Sequence, residues 1–226
     1  MVDEQDLSAR RAAPAERPTV RDVSALTGYR EQEPPWSWRT LVENLAPMSD
    51  RVLDLGAGGG ETLPADAFDL VLSRHEAYDA SDVARVLAPG GTFLTQQVGG
   101  DDLQEIRDAV GLEAPFSEVT LENFVHELHR CGLTVQRSDA FHGAYEFDDV
   151  AALLAYLCRS PWDAPADLDV DRHRPQLEAL EEERAGGPLT ATVSRFLILA
   201  RAPGHPDAGR TDFAAIARER PEVPRV

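Results

Sequence analysis

The sequence predicts an α/β domain built on a mostly parallel sheet with flanking helices. Three observations carry that expectation. Two short, near-continuously apolar runs, "RVLDLG" and "AFDLVLS", read as strands covered on both faces. Helical stripes alternate with strand-like runs along the chain. Glycine and proline punctuate the junctions between them.

Residues 1–35 are rich in Arg, Glu and Pro, have little hydrophobic periodicity, and read as a partly disordered N-terminal tail. The domain is expected over 36–203 and a C-terminal tail over 204–226. In "PPWSWRTLVENLAP", Trp36, Trp38, Leu41, Val42 and Leu45 recur at helical spacing, and Pro47 ends the helix. The two tryptophans suit core packing; the alternative is that one lines a ligand site. "RVLDLG" and "AFDLVLS" are the first two strands. "DASDVARVLAP" is a helix starting near Asp79, with Val83, Val86 and Leu87 inward and Pro89-Gly90-Gly91 as its stop. "GTFLTQQVG" is the third strand.

"TLENFVHELHRCG" is a helix capped near Thr120, with Leu121, Phe124, Val125 and Leu128 on one face and Gly132 after its end. "LTVQRSD" is the fourth strand. "FDDVAALLAYLCRSPW", with Asp148 as the expected cap, and "DVDRHRPQLEALEEERAGG" form a helical insertion over 145–187. "TATVSRFLILARA" is the last strand.

Composition excludes several classes of function. The net charge of −18 argues against nucleic acid, because phosphate binding wants a basic field. No lysine occurs, so every basic side chain is arginine or histidine. That bias fits codon usage or a dense acidic surface suited to salt. The apolar runs are far shorter than the ~20 residues of a membrane span. The N-terminus "MVDEQDLSAR" lacks the apolar stretch of a signal peptide, so a cytoplasmic location is the default. Cys131 and Cys158 sit in helical patterns and read as buried free thiols. His126 and His129 lie at i and i+3 with no further ligand suggested, so no metal is expected.

"DLGAGGG" sets Asp54, Gly56, Gly58 and Gly60 in a D-x-G-x-G-x-G pattern after a strand. Glycines there let a ligand approach the backbone, although a tight turn alone needs the same residues. The dinucleotide fingerprint G-x-G-x-x-G fails at Glu61, and the phosphate loop fails for want of a lysine. "VLDLGAGGGE", "FDLVLSRHEAYD" and "VARVLAPGGTFLTQQVG", in that order, resemble class I S-adenosylmethionine-dependent methyltransferases of the small-molecule branch. "TLENFVHELHRCGLTV" continues the likeness, which covers about residues 36–201.

The resemblance implies a Rossmann-like fold, S-adenosylmethionine as cofactor and a small-molecule acceptor. It implies that Asp54, Gly56, Gly58 and Gly60 cradle the cofactor, with Glu61 either facing its ammonium and orienting the loop or simply solvated at the loop edge. Ser73, Arg74, His75 and Glu76 close the second apolar strand, at the carboxyl end where open α/β sheets bind ligands. His75 is the candidate base, with an unperturbed pKa of ~6.5, and an orienting hydrogen bond is its other role. Ser73, Arg74 and Glu76 are the substrate-side candidates. The insertion would act either as a lid, with Tyr156, Trp162, Arg172 and His173 as candidates, or as plain cover for a sheet edge.

The resembled fold has helix–strand–helix–strand–helix between the glycine loop and "FDLVLS". Here twelve residues, Gly56 to Ala67, make that link. The sheet is therefore expected to be reduced by about two strands, losing the acid that normally holds the ribose. "RVLDLG" becomes an exposed apolar edge, which homodimerisation or the N-terminal tail would cover. Beside an active enzyme stand two alternatives: a degenerate module that binds or assembles without catalysis, and a chain deleted relative to enzymatic relatives.

Overall fold

Among the described residues, six strands form a mixed sheet: β1 (Tyr29–Glu31), β2 (Val52–Leu55), β3 (Phe68–Arg74), β4 (Leu87–Val98), β5 (Thr134–Phe147) and β6 (Leu189–Arg201). Their order is β1-β5-β6-β4-β3-β2. Six helices of the described residues flank them: α1 (Trp38–Leu45), α2 (Ala80–Val86), α3 (Gln104–Val110), α4 (Leu121–Arg130), α5 (Val150–Arg159) and α6 (Arg174–Glu183). This computed structural model describes residues 26–56, 63–112, 116–160 and 168–204. The Rossmann-like α/β fold expected from the sequence is present. Its parallel part is β2-β3-β4, while β6 runs antiparallel to β4 and β1 antiparallel to β5. Among the described residues, no helix is long and apolar enough to cross a membrane.

The chain divides into two units. One comprises residues 33–99, 118–141 and 195 onward; the other comprises residues up to 32, 100–117 and 142–194.

In the first unit, strand alternation builds two cores. Leu70 and Leu72 of β3 share one face with Leu94, Leu197 and Leu199, and pack on Trp36, Leu41 and Leu45 at α1. Val71 points the other way, onto Phe93, Phe196, Ile198, Val83, Val86 and Leu128. Both faces are covered, which is why these strands read as continuous apolar runs. A fully buried leucine such as Leu45 or Leu94 stabilises the fold by roughly 1.5–3 kcal/mol relative to exposure.

Side-chain caps set the helix starts in this unit. Ser37 accepts from the Thr40 N–H, Asp79 from the N–H groups of Ser81 and Asp82, and Thr120 from the Asn123 N–H. Pro47 falls in a short 3₁₀ turn, Ala46–Met48, that closes α1. Helix α2 ends at Val86, short of the expected stop: Leu87, read as helical, begins β4, and Pro89-Gly90-Gly91 lies inside that strand, opposite a register shift between Phe68 and Leu70.

In the second unit, β1 pairs with β5 from Tyr29↔Phe147 to Glu31↔Tyr145, inside the segment read as a tail. Tyr29 stacks on Tyr156 at 4.9 Å beside Tyr145 and Phe147. Strand β5 runs to Phe147, past the expected start of the insertion. The cap of α5 is Asp149, which accepts from the Ala152 N–H at 2.8 Å, and not Asp148. Asp148 instead accepts from Arg30 Nη2 at 2.9 Å. The expected buried thiols are not found: Cys131 is partly exposed and Cys158 exposed, and both are free.

Candidate functional site

The register of the parallel strands aligns their carboxyl ends. Leu55 of β2 lies opposite Ser73 of β3, and Arg74 lies opposite Gln96 of β4. Asp54, Gly56, Ser73, Arg74, His75, Glu76 and Gln96 are therefore neighbours at one end of the sheet in the first unit. Open α/β sheets bind ligands at this end.

Gly56 closes β2 with φ +106°, and a Cβ there would stand 2.6 Å from Glu76 Cγ. Glycine is required for both reasons. The start of the predicted cofactor loop and the predicted substrate edge thus touch. Asp54, two residues before Gly56, is exposed.

His75 has φ +58°, a left-handed conformation that is uncommon for a residue other than glycine. The consequence is directional. Leu70, Leu72 and Arg74 alternate onto the α1 face, and a regular strand would send residue 75 to the opposite face with Ser73. The positive φ breaks the alternation and brings the ring to Gln96. The His75 N–H donates to Gln96 O at 2.8 Å, and His75 Nε2 lies 3.0 Å from Gln96 Nε2.

The Gln96 amide is oriented by Trp36. Indole Nε1–H can only donate, and it reaches Gln96 Oε1 at 2.9 Å. Gln96 Nε2 is then the donor toward His75, so His75 Nε2 must accept. The ring is neutral and carries its proton on Nδ1.

Electrostatics agree. Desolvation of the ring, then the guanidiniums of Arg195 and Arg74, lower the His75 pKa to about 3. The residue is exposed by area, and its open edge weakens the desolvation. The direction stands on the hydrogen bond as well: the imidazole is neutral at pH 7. Arg195 is buried on β6 opposite Val98, on the same face as Gln96 by alternation.

A second network lies on the other face. Ser73 is fully buried and donates from Oγ to Glu76 O at 3.2 Å. Gln97 Nε2 donates to Glu76 O at 3.1 Å and to Thr95 Oγ1 at 2.8 Å. These bonds hold the turn that carries Arg74, His75 and Glu76. Beyond it, Tyr78 packs edge-on against Phe93 and Phe124, and its buried hydroxyl has no hydrogen-bond partner among the described residues. Burial pushes that phenol well above its usual range.

Other predicted residues fall elsewhere. Gly58, Gly60, Glu61 and Trp162 lie outside the described residues. Tyr156 belongs to the second unit and is buried; its hydroxyl donates to Tyr145 Oη at 3.3 Å. Arg172 is exposed, while His173 is buried with Nδ1 bound to the Asp169 backbone. No cluster of His, Cys, Asp or Glu suited to a metal occurs among the described residues. Sequence reasoning missed Gln96, Gln97 and Arg195. Their signal was faint: polar residues inside otherwise apolar strands, in "FLTQQV" and "SRFLIL".

No family model and no curated protein matches the sequence. Among solved structures, the chain is similar to the YcgJ protein from Bacillus subtilis: 17% identity, 65% of this chain and 68% of that chain, TM-score 0.42. It is also similar to a SAM-dependent methyltransferase from Methanosarcina mazei, at 12% identity over 65% of this chain and 64% of that chain, TM-score 0.36. A third is an S-adenosylmethionine-dependent methyltransferase from Mesorhizobium loti, at 16% identity over 62% of this chain and 64% of that chain, TM-score 0.30.

Proposed function

We propose that the chain binds S-adenosylmethionine and transfers its methyl group to a small-molecule acceptor. The observation that carries this reading is the contact between Gly56 and Glu76. It joins the opening of the D-x-G-x-G-x-G loop to the end of the strand expected to border the acceptor. Glycine at Gly56 lets the Glu76 side chain close against the end of β2, which any side chain there would prevent.

In this reading Asp54, Gly56, Gly58, Gly60 and Glu61 hold the amino-acid and ribose portion of the cofactor. When bound, the cofactor supplies an electrophilic methyl carbon on a sulfonium. Arg74, His75 and Glu76 border the acceptor, whereas Ser73, expected beside them, is fully buried and holds their turn through the Glu76 carbonyl. Aligning the acceptor with the methyl carbon is the main demand of such a transfer, and a fixed strand-end turn serves it. Because Gln96 engages the Nε2 lone pair, His75 acts as an Nδ1–H donor that orients the acceptor rather than as a base.

One observation favours the non-catalytic alternative. β2 is the terminal strand of the described sheet, so no neighbouring strand there carries an acid to hold the ribose. Val52 on that edge is 42% exposed, and pairing of two copies along β2 is the proposed cover. Sedimentation as a monomer at micromolar concentration would exclude that pairing. Calorimetric titration with S-adenosylmethionine and S-adenosylhomocysteine tests the main reading. Saturable binding is expected. Absence of binding at millimolar cofactor would overturn it.

A further inference from the structure

The α1 face of the sheet's carboxyl end collects hydrogen-bond donors and positive charge in a chain of net charge −18. Arg74 alternates onto that face with Leu70 and Leu72, directly opposite Gln96. Arg195 reaches the same face from β6, one register step beyond the Gln96↔Leu197 and Gln97↔Phe196 pairs. The left-handed turn at His75 brings its ring to this group instead of the opposite face. Trp36 and Gln96 then fix which nitrogen is free: Nε2 is engaged and Nδ1–H remains a donor. Glu76 is the nearest acid in sequence, and its side chain is turned toward Gly56 on the β2 side.

We propose that this surface takes the carboxylate of a small organic acid, held by Arg74 and the Nδ1–H of His75 in the field of Arg195. A guanidinium presents a planar fork that matches two carboxylate oxygens, and a neutral imidazole adds one directed N–H. Without the Trp36–Gln96 pair, the imidazole would be free to turn a lone pair toward the anion instead. Trp36 and Gln96 are thus positioning residues. The methyl-transfer reading enters only in calling this acid the acceptor; carboxylate binding itself does not depend on it.

The probes are benzoate and its uncharged, near-isosteric amide, benzamide, titrated into the full chain at neutral pH and followed by calorimetry and amide NMR shifts. Benzoate is expected to bind at least about tenfold more tightly than benzamide, a difference of about 1.4 kcal/mol. Arg74→Gln, at an exposed position, is expected to weaken benzoate about tenfold and leave benzamide unchanged. Arg39→Gln, on the exposed side of α1, should change neither. Equal binding of the two probes, or no effect of Arg74→Gln, overturns the proposal. S-adenosylhomocysteine is titrated into the same sample. If it fails to bind while benzoate is still preferred, the methyl-transfer reading falls and the carboxylate site stands. If it binds and the two probes are not distinguished, the carboxylate site alone falls.

Discussion

Gln96 Nε2 stands 3.0 Å from His75 Nε2, so the glutamine dictates which nitrogen of the imidazole carries the proton. Replacing the amide by a carboxylate inverts that instruction. In Gln96→Glu the side chain can only accept, so His75 should become an Nε2–H donor and its pKa should rise. Imidazole nitrogen shifts in a histidine-labelled sample report the tautomer directly. Identical shifts in wild type and variant would refute the arrangement.

The same contact links His75 to acid stability. In the folded chain the imidazole resists protonation down to about 3, because the ring is desolvated and Arg195 and Arg74 lie nearby. In the unfolded chain it takes a proton near ~6.5. Between those values the unfolded state binds more protons, so acidification favours unfolding. The contribution is complete above the unfolded pKa and is lost as pH falls toward the folded one. Urea midpoints should therefore drop more steeply from about pH 7 to about pH 5 in wild type than in His75→Gln, which cannot titrate there. Parallel pH profiles would contradict a neutral imidazole.

Gly56→Ala meets two obstacles: φ +106° and a Cβ 2.6 Å from Glu76 Cγ. A loss of about 1–3 kcal/mol is expected. Adding Glu76→Ala removes the collision but not the backbone strain, so the double variant should recover only part of the loss. Chemical denaturation of the cycle separates the two components, and a fully additive result would mean that the two residues do not touch.

Tyr78 has the opposite expectation. Its buried hydroxyl has no partner among the described residues, and the ring packs against Phe93 and Phe124. Tyr78→Phe keeps the ring contacts and removes the unpaired group, so stability should rise by about 1 kcal/mol. A clear loss of melting temperature would reveal a partner for this hydroxyl in solution.

Much of the fold was legible because the signals are local. The apolar runs of β2 and β3, the caps Asp79 and Thr120 and the stripe of α4 each follow from neighbours a few residues apart. α3 escaped notice because its ends have no side-chain cap. Left-handed Leu103 and Gly111 bound it, and its buried Arg107 masks the apolar stripe while donating to the carbonyls of Asp102 and Gly100. β1 escaped because three residues carry no readable alternation, and its partner strand lies more than a hundred residues away. Asp148 and Asp149 are equivalent caps on paper; the ion pair with Arg30 engages the first and leaves the second to cap α5.

By itself, the sequence determined the α/β class, the strand ends that would meet, and Gly56, Ser73, Arg74, His75 and Glu76 as the residues there. Each rests on periodicity or on the chemistry of a single residue type. Only the tertiary structure decided how His75 is used. One left-handed φ turned the ring onto the α1 face, and Gln96, itself oriented by Trp36 sixty residues away, fixed its proton on Nδ1. Hydrogen-bond direction propagates through donors and acceptors that meet only after the strands pair, so no local pattern could have carried it.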